Sequence, residues 1–284
     1  MSHDRRSFLA TLGATAAGLA YGRRSLAAAT AAFGERTKLS RIGIQLYTVR
    51  RQAAADLAGT LAQIGKIGYK EVELAGYYNH AATEVRDLLK RNGLVAPSGH
   101  IAIEQIENNP AKTFEDAHTV GHEWITVPSL PRGKHETADD WKRVAGQFNA
   151  AATQAKAAGF RFAFHNHNDI VKTVKGVLPI EILMKETDPA LVSFQMDLFW
   201  AVNGGADPLD LLARYPGRFK MFHVKDGPAP AYATQTDVGA GSIDFKTIFA
   251  RAKGIEHYFV ESDWATDPMA FAGASYRYLA GLEF

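Results

Sequence analysis

The chain has 284 residues, with 32 Lys and Arg against 30 Asp and Glu, 46% hydrophobic residues and no cysteine. That near balance gives no sign of a basic face for nucleic acid or an anionic membrane, and the lack of thiols excludes both a disulfide framework and a cysteine nucleophile. The length suits one large α/β domain with a substantial core.

The N-terminus reads as a targeting segment rather than as fold. Asp4-Arg5-Arg6-Ser7-Phe8-Leu9 is a twin-arginine pattern, followed by a mildly apolar run to Ala20 and by small residues at Ala27-Ala28-Ala29 that suit a signal peptidase. The apolar run is too short and too rich in Gly and Ala to be a stable membrane anchor. Residues 1–29 are therefore expected to be a twin-arginine signal peptide, 30–40 a linker and 41–284 the folded domain, with the protein periplasmic or exported. The leader carries four Arg and one Asp, so the remainder is close to neutral.

From Arg41 onward, short β-rich apolar runs alternate with helical patterns, the signature of repeated βα units. The runs are Ile42 to Val49, Glu71 to Ala75, Leu94 to Ile103, Trp124 to Pro128, Phe160 to His167, Leu191 to Leu198, Phe219 to Lys225 and His257 to Ser262. Helical patterns between them include Asp56 to Ile67, Thr83 to Arg91, Ala138 to Ala158, Pro208 to Ala213 and Phe245 to Lys253. Gly68, Gly93, Gly159 and Gly254 each close a helical pattern just before a strand, and Asp207-Pro208, Asp267-Pro268 and Ser242 to Asp244 offer N-caps. Eight such units in roughly 250 residues predict a single (β/α)₈ TIM barrel. An open doubly wound sheet would want a glycine-rich turn after the first strand, which Gln45-Leu46-Tyr47-Thr48 lacks.

In a parallel barrel the chemistry sits at the C-terminal strand ends. Those ends carry Gln45 and Tyr47, Glu73, His100, His165 with His167, Asp197, His223 with Lys225, and Glu261. So many ionisable groups at one mouth would shift one another's titration unless a cation or substrate offsets them. Asp197, His223 and Glu261 on consecutive strands make a mixed N/O set suited to Mn²⁺, Zn²⁺, Co²⁺ or Fe²⁺, and His165 or His167 supplies a fourth ligand. In the stretch Phe162 to Asp169, FAFHNHND, strand spacing turns both histidines to one face. The expectation is that His165 completes the shell and His167 faces the substrate. His118 and His122 read as surface histidines, and Lys225-Asp226 either as a solvated ion pair at a strand end or as a pair whose Lys225 serves the substrate.

The phrases GIQLYTV, EVELAG, HNHND, MDLFW, FHVKDG and FVESD resemble the sugar phosphate isomerase/epimerase family of xylose-isomerase-like TIM barrels, over about residues 41 to 280. The resemblance implies a divalent metal held from strands five to eight, with later ligands at Asp197, His223 and Glu261, bridging two oxygens of a hydroxy-carbonyl sugar. Epimerases of that family present a glutamate on strand five, opposed to the one on strand eight. Here the strand-five position reads His165, so His165, His167 or Glu73 would have to supply the second proton-transfer group. Trp200 stands where some relatives place a substrate-binding histidine.

The expected chemistry is metal-assisted removal of an α-proton from a keto-sugar or cyclitol, with Glu261, His165 and His167 as catalytic candidates. Gln45, Tyr47, Glu73, His100, Trp200 and Lys225 are expected around the substrate, Lys225 supporting enediolate charge. Isomerisation or epimerisation is the first reading. The alternatives are a lyase or hydrolase that cleaves 3-keto-glycosides or dehydrates inosose-like substrates by β-elimination, and a sugar-binding barrel or oxidoreductase partner without turnover. A homo-oligomer stays open.

Overall fold

A computed structural model describes residues 37–230 and 233–284. The expected signal peptide, and most of the expected linker, lie outside the described residues. The chain divides into a unit of Leu39–Leu282 and a terminal unit whose described residues are Thr37, Lys38, Glu283 and Phe284, in which Thr37 and Phe284 exchange backbone hydrogen bonds of 2.8 and 3.0 Å.

In the larger unit eight parallel strands close in chain order: β1 (Gly43–Gln45), β2 (Glu71–Leu74), β3 (Val95–His100), β4 (Trp124–Val127), β5 (Arg161–His165), β6 (Val192–Asp197), β7 (Phe219–Val224) and β8 (His257–Val260). Gly43 faces Glu71 on one side and Phe259 on the other, which seals the ring. This is the expected (β/α)₈ barrel, and closure leaves no unpaired strand edge. No helix among the described residues is long and apolar enough to cross a membrane.

The strands are shorter than the apolar runs that announced them. The first run yields only Gly43–Gln45, because the Gln45 side chain turns back to accept the Tyr47 N–H at 3.1 Å and caps a 3₁₀ turn over Leu46–Val49. The fifth run stops at His165, where Asn166 uses its side-chain oxygen to accept the Asp197 N–H at 2.9 Å. Capping expectations fare better. Asp207, Asp244 and Asp267 accept from Leu209, Thr247 and Ala270 at 2.8, 3.0 and 3.0 Å, and Gly159 takes φ +87°, where an L side chain would be strained.

Period-two alternation decides what each strand shows to each side. Ile44, Val72, Ile125, Phe164, Phe194, Phe222 and Val260 are buried outside the barrel wall. Trp124, Ala163, Met221 and Phe259, drawn from β4, β5, β7 and β8, meet as a buried cluster, which residues from opposite strands can do only inside the barrel. A Cβ on Gly43 would lie 2.5 Å from the Phe259 ring, so glycine there makes room for it. Below the cluster, His257 Nδ1 and a Glu71 oxygen are 2.8 Å apart; above it the interior positions Gln45, Glu73, Ser98, Thr126, Gln195 and His223 are all polar and buried. Phe259→Ala is expected to lower stability by about 3–5 kcal/mol, read in urea unfolding as an earlier midpoint at unchanged slope.

Candidate active site

The mouth is organised from below by the Glu73 carboxylate. One oxygen accepts from Ser98 Oγ at 2.5 Å and Gln195 Nε2 at 2.8 Å. The other accepts from Gln45 Nε2 at 2.8 Å, lies 2.5 Å from His223 Nε2 and 3.1 Å from His100 Nε2. Burial alone would raise its pKa, but the two imidazoles hold it well below the usual carboxylate range. Glu73 and Gln45, expected at the substrate, are instead fully enclosed beneath it, with 0% exposure.

Gln195, which the sequence reading passed over inside the run VSFQMD, fixes a histidine. Its amide nitrogen is committed to Glu73, so its oxygen must be the group that meets His165 Nδ1 at 3.0 Å. An amide oxygen only accepts, so His165 carries its proton on Nδ1 and presents a bare Nε2 to the cluster. Burial, then the neighbouring His223, His167, His100 and Lys225, keep His165 neutral by lowering its pKa well below the ordinary value.

Asp197 does two jobs at the end of β6. Oδ1 accepts the Trp200 N–H at 2.9 Å and N-caps the helix Leu198–Asn203, which is why MDLFW passes directly from strand to helix. Oδ2 is buried and lies 2.9 Å from Lys225 Nζ, yet outside hydrogen-bond geometry, and it has no hydrogen-bond partner. Burial raises the Asp197 pKa, opposed by Lys225 and His223. His223 is gripped between Glu73 and Glu261, whose Oε2 is 2.6 Å from Nδ1; against burial, Glu261 and Glu73 push its pKa up to about 10.

One ligand atom each from His165, Asp197, His223 and Glu261 fall within 4.8 Å of one another, all buried; His100 forms an overlapping set with His165 and His223. Two imidazoles and two carboxylates, with Asp197 Oδ2 ion-paired to Lys225 but accepting no hydrogen bond, fit a divalent cation. His167, beyond the end of β5, is half-buried with its ring 4.8 Å from that of His165 and 5.9 Å from Trp200, and neither ring nitrogen has a hydrogen bond among the described residues. Burial lowers its pKa, leaving a neutral imidazole at the mouth.

Lys225 lies inside this group, 1% exposed, with Nζ 2.9 Å from Asp197, 2.8 Å from Glu261 and 3.0 Å from Asp263. These carboxylates overcome burial and raise its pKa. Of the two readings of Lys225-Asp226, the solvated ion pair is excluded, since both residues are buried. Asp226 turns the other way, accepting the N–H groups of Gly227, Gly239, Gly241 and Ile243, and so folds the loop after β7. That loop brings Gln235 to Asp263 at 2.7 Å, two further residues the sequence reading omitted. Tyr47, 42% exposed, and Trp200 flank the mouth with Trp264, whose ring is 5.7 Å from that of Trp200. His118 is exposed as expected; His122 is not, at 6% exposure.

The family described as xylose isomerase-like TIM barrel matches residues 61–270. An inosose dehydratase of Geobacillus kaustophilus is 26% identical over 231 residues, 67% of this chain and 74% of that protein. One from Lacticaseibacillus casei is 35% identical over 92 residues, spanning only 32% of this chain and 30% of its own length. A solved sugar phosphate isomerase/epimerase from Parabacteroides distasonis superposes with TM-score 0.75 at 28% identity, covering 86% of this chain and 95% of that one.

The grip on His223 sets a pH dependence. Its imidazolium stabilises the metal-free fold fully below its ordinary value of 6.5, and that contribution is lost as pH rises through about 10. Thermal unfolding of chelated protein should therefore weaken across that upper limb, and His223→Gln should flatten the limb.

Proposed function

Because the chain belongs to the xylose isomerase-like TIM barrel family, we propose that it is a divalent-metal-dependent enzyme acting on a keto-sugar or cyclitol, and that its reaction is β-elimination. The observation that carries the choice is His167, a neutral imidazole at the mouth whose ring has no hydrogen bond among the described residues, whereas the Glu261 carboxylate is held by His223 and Lys225 and would be spent on the cation. Glu73 has both oxygens occupied by protein donors, and His165 spends Nδ1 on Gln195. Epimerisation needs one proton-transfer group on each face of the substrate; elimination needs one. The inosose dehydratase relative supports the same branch, while the isomerase/epimerase relative supports the shared first half of the chemistry.

His165 through Nε2, Asp197, His223 and Glu261 would hold the cation, with Mn²⁺, Zn²⁺, Co²⁺ and Fe²⁺ all compatible with that donor set. Bound there, it would supply Lewis acidity that makes the proton beside a substrate carbonyl acidic. His167 takes that proton. The C–H electron pair becomes a C=C bond as the bond from the β-carbon to its oxygen breaks, and the departing oxygen receives the proton back from the His167 imidazolium. Water or an alcohol leaves, with an unsaturated ketone as product. Lys225 keeps a fixed positive charge against Asp197, Glu261 and Asp263. Trp200, over Lys225 at 5.8 Å, offers an apolar face for a ring.

Inososes, keto-glycosides and ketoses incubated with the metal-loaded protein and followed by NMR should show the unsaturated ketone with at least one of them. His167→Gln should lower kcat by about 10²–10⁴-fold at unchanged metal content; full activity in that variant, or metal-loaded protein that never labilises an α-proton, would remove the proposal. We also read the leader as an export signal, which suits a substrate without phosphate. Arg5→Lys with Arg6→Lys should retain the protein in the cytoplasm, measured by cell fractionation.

A further inference from the structure

The two histidines of the cation group offer it different ring nitrogens. His165 ends β5 beside Gln195 of β6, its partner in strand register, and its Nδ1, the nitrogen next to Cβ, is taken by the Gln195 oxygen at 3.0 Å. Nε2 is left free, 3.9 Å from Asp197 Oδ2. His223 on β7 is set the other way. Its Nε2 spans the barrel interior to Glu73 on β2, at 2.5 Å, while Nδ1 faces Glu261 Oε2 at 2.6 Å and Asp197 Oδ2 at 3.9 Å. The two rings lie 4.4 Å apart, tilted by 52°.

Neither arrangement can reverse, because the groups behind the rings are locked to one another. Gln195 Nε2 donates to Glu73 Oε1 at 2.8 Å, so turning the amide over would set its oxygen against a carboxylate. Glu73 Oε2 and Gln195 Oε1 each lie 3.1 Å from His100 Nε2 and can only accept, so one ring N–H of His100 bridges the pair. Ser98 and Gln45 donate to the two Glu73 oxygens at 2.5 and 2.8 Å. The Glu73 carboxylate has no proton to offer and therefore keeps one on His223 Nε2, which leaves Nδ1 for the cation. Glu73 and Gln195 are themselves 0% exposed, so they act only through the rings they hold.

We propose that Glu73 and Gln195 are positioning residues for the metal, committing His223 to bind it by Nδ1 and His165 by Nε2. The inference rests on the metal dependence in the proposed function and not on the choice of elimination. Outer partners of ligand histidines fix the tautomer and orientation of the ring and raise its basicity, and losing one weakens metal binding by about 10–100-fold.

The test uses the full chain carrying nitrogen-labelled histidine and loaded with NMR-active Cd²⁺, where a ligating ring nitrogen shows a coupling to the metal. Wild type should couple through Nδ1 of His223 and Nε2 of His165, assigned by through-bond correlation within each ring. Zn²⁺ affinity, measured by competition with a chromogenic chelator, should fall about 10–100-fold in Glu73→Gln and in Gln195→Leu, and in Gln195→Leu the His165 coupling should spread over both nitrogens. The unfolding temperature of the metal-free protein is the control for folding; a merely structural role would lower it without moving the couplings. Glu73→Asp, which keeps the carboxylate but draws it back from His223, is the milder variant should Glu73→Gln not fold, with a fall in affinity again expected. Both histidines coupled through the same nitrogen in wild type, or folded variants that keep wild-type affinity and couplings, overturn the inference and leave the metal site standing. Protein that binds neither Cd²⁺ nor Zn²⁺ overturns the metal site itself, and this inference with it.

Discussion

One buried carboxylate sets the terms for everything at the barrel mouth. Glu73 has 0% exposure, and an isolated carboxylate there would carry a heavy desolvation cost. It is tolerated because Ser98, Gln195 and Gln45 donate to it and His223 and His100 bring their ring nitrogens against it. In meeting that requirement the protein fixes the rotamer of one glutamine, the tautomer of His165 and the tilt of His223. A half-satisfied network of this kind would be worse than an apolar barrel core, so its members depend on one another.

The site is therefore layered. The middle of the barrel, around Trp124, Met221 and Phe259, is dry and apolar. Above it lies the hydrogen-bonded floor centred on Glu73, and above that the group of Asp197, His223, Glu261 and His165 with Lys225 among them. The topmost groups, His167, Trp200, Tyr47 and Trp264, are the ones with open surface. Ionic groups sit deep and rigid, while the proton carrier and the aromatic walls stand where a substrate can reach them, as preorganised electrostatic catalysis requires.

Secondary-structure ends do much of the positioning. Asp197 is both a helix cap and a member of the buried ionic group, so its carboxylate has little rotational freedom. Asp226 collects four backbone N–H groups of the following loop and thereby delivers Gln235 to Asp263, which steadies Lys225. A lysine and an aspartate adjacent in sequence thus serve opposite sides of one strand end.

Chain order and alternation were enough to give the barrel, its eight strands and the end of the barrel that bears polar groups, because βα repeats and period-two patterning are local and the helix caps at Asp207, Asp244 and Asp267 are more local still. The assembly of Asp197, His223, Glu261 and His165 could be anticipated for the same reason: each ends an apolar run. What the sequence left undecided depends on partners far apart in the chain. Gln195 looks like an ordinary strand residue, and its role depends on Glu73, 122 positions away, accepting a hydrogen bond from its amide. His122 looks like a surface histidine until Ala96 and Gly99 close over it. Composition and periodicity say which residues face inward, but only the closed barrel decides which inward atoms meet, and therefore which nitrogen carries the proton and which carboxylate is already spent.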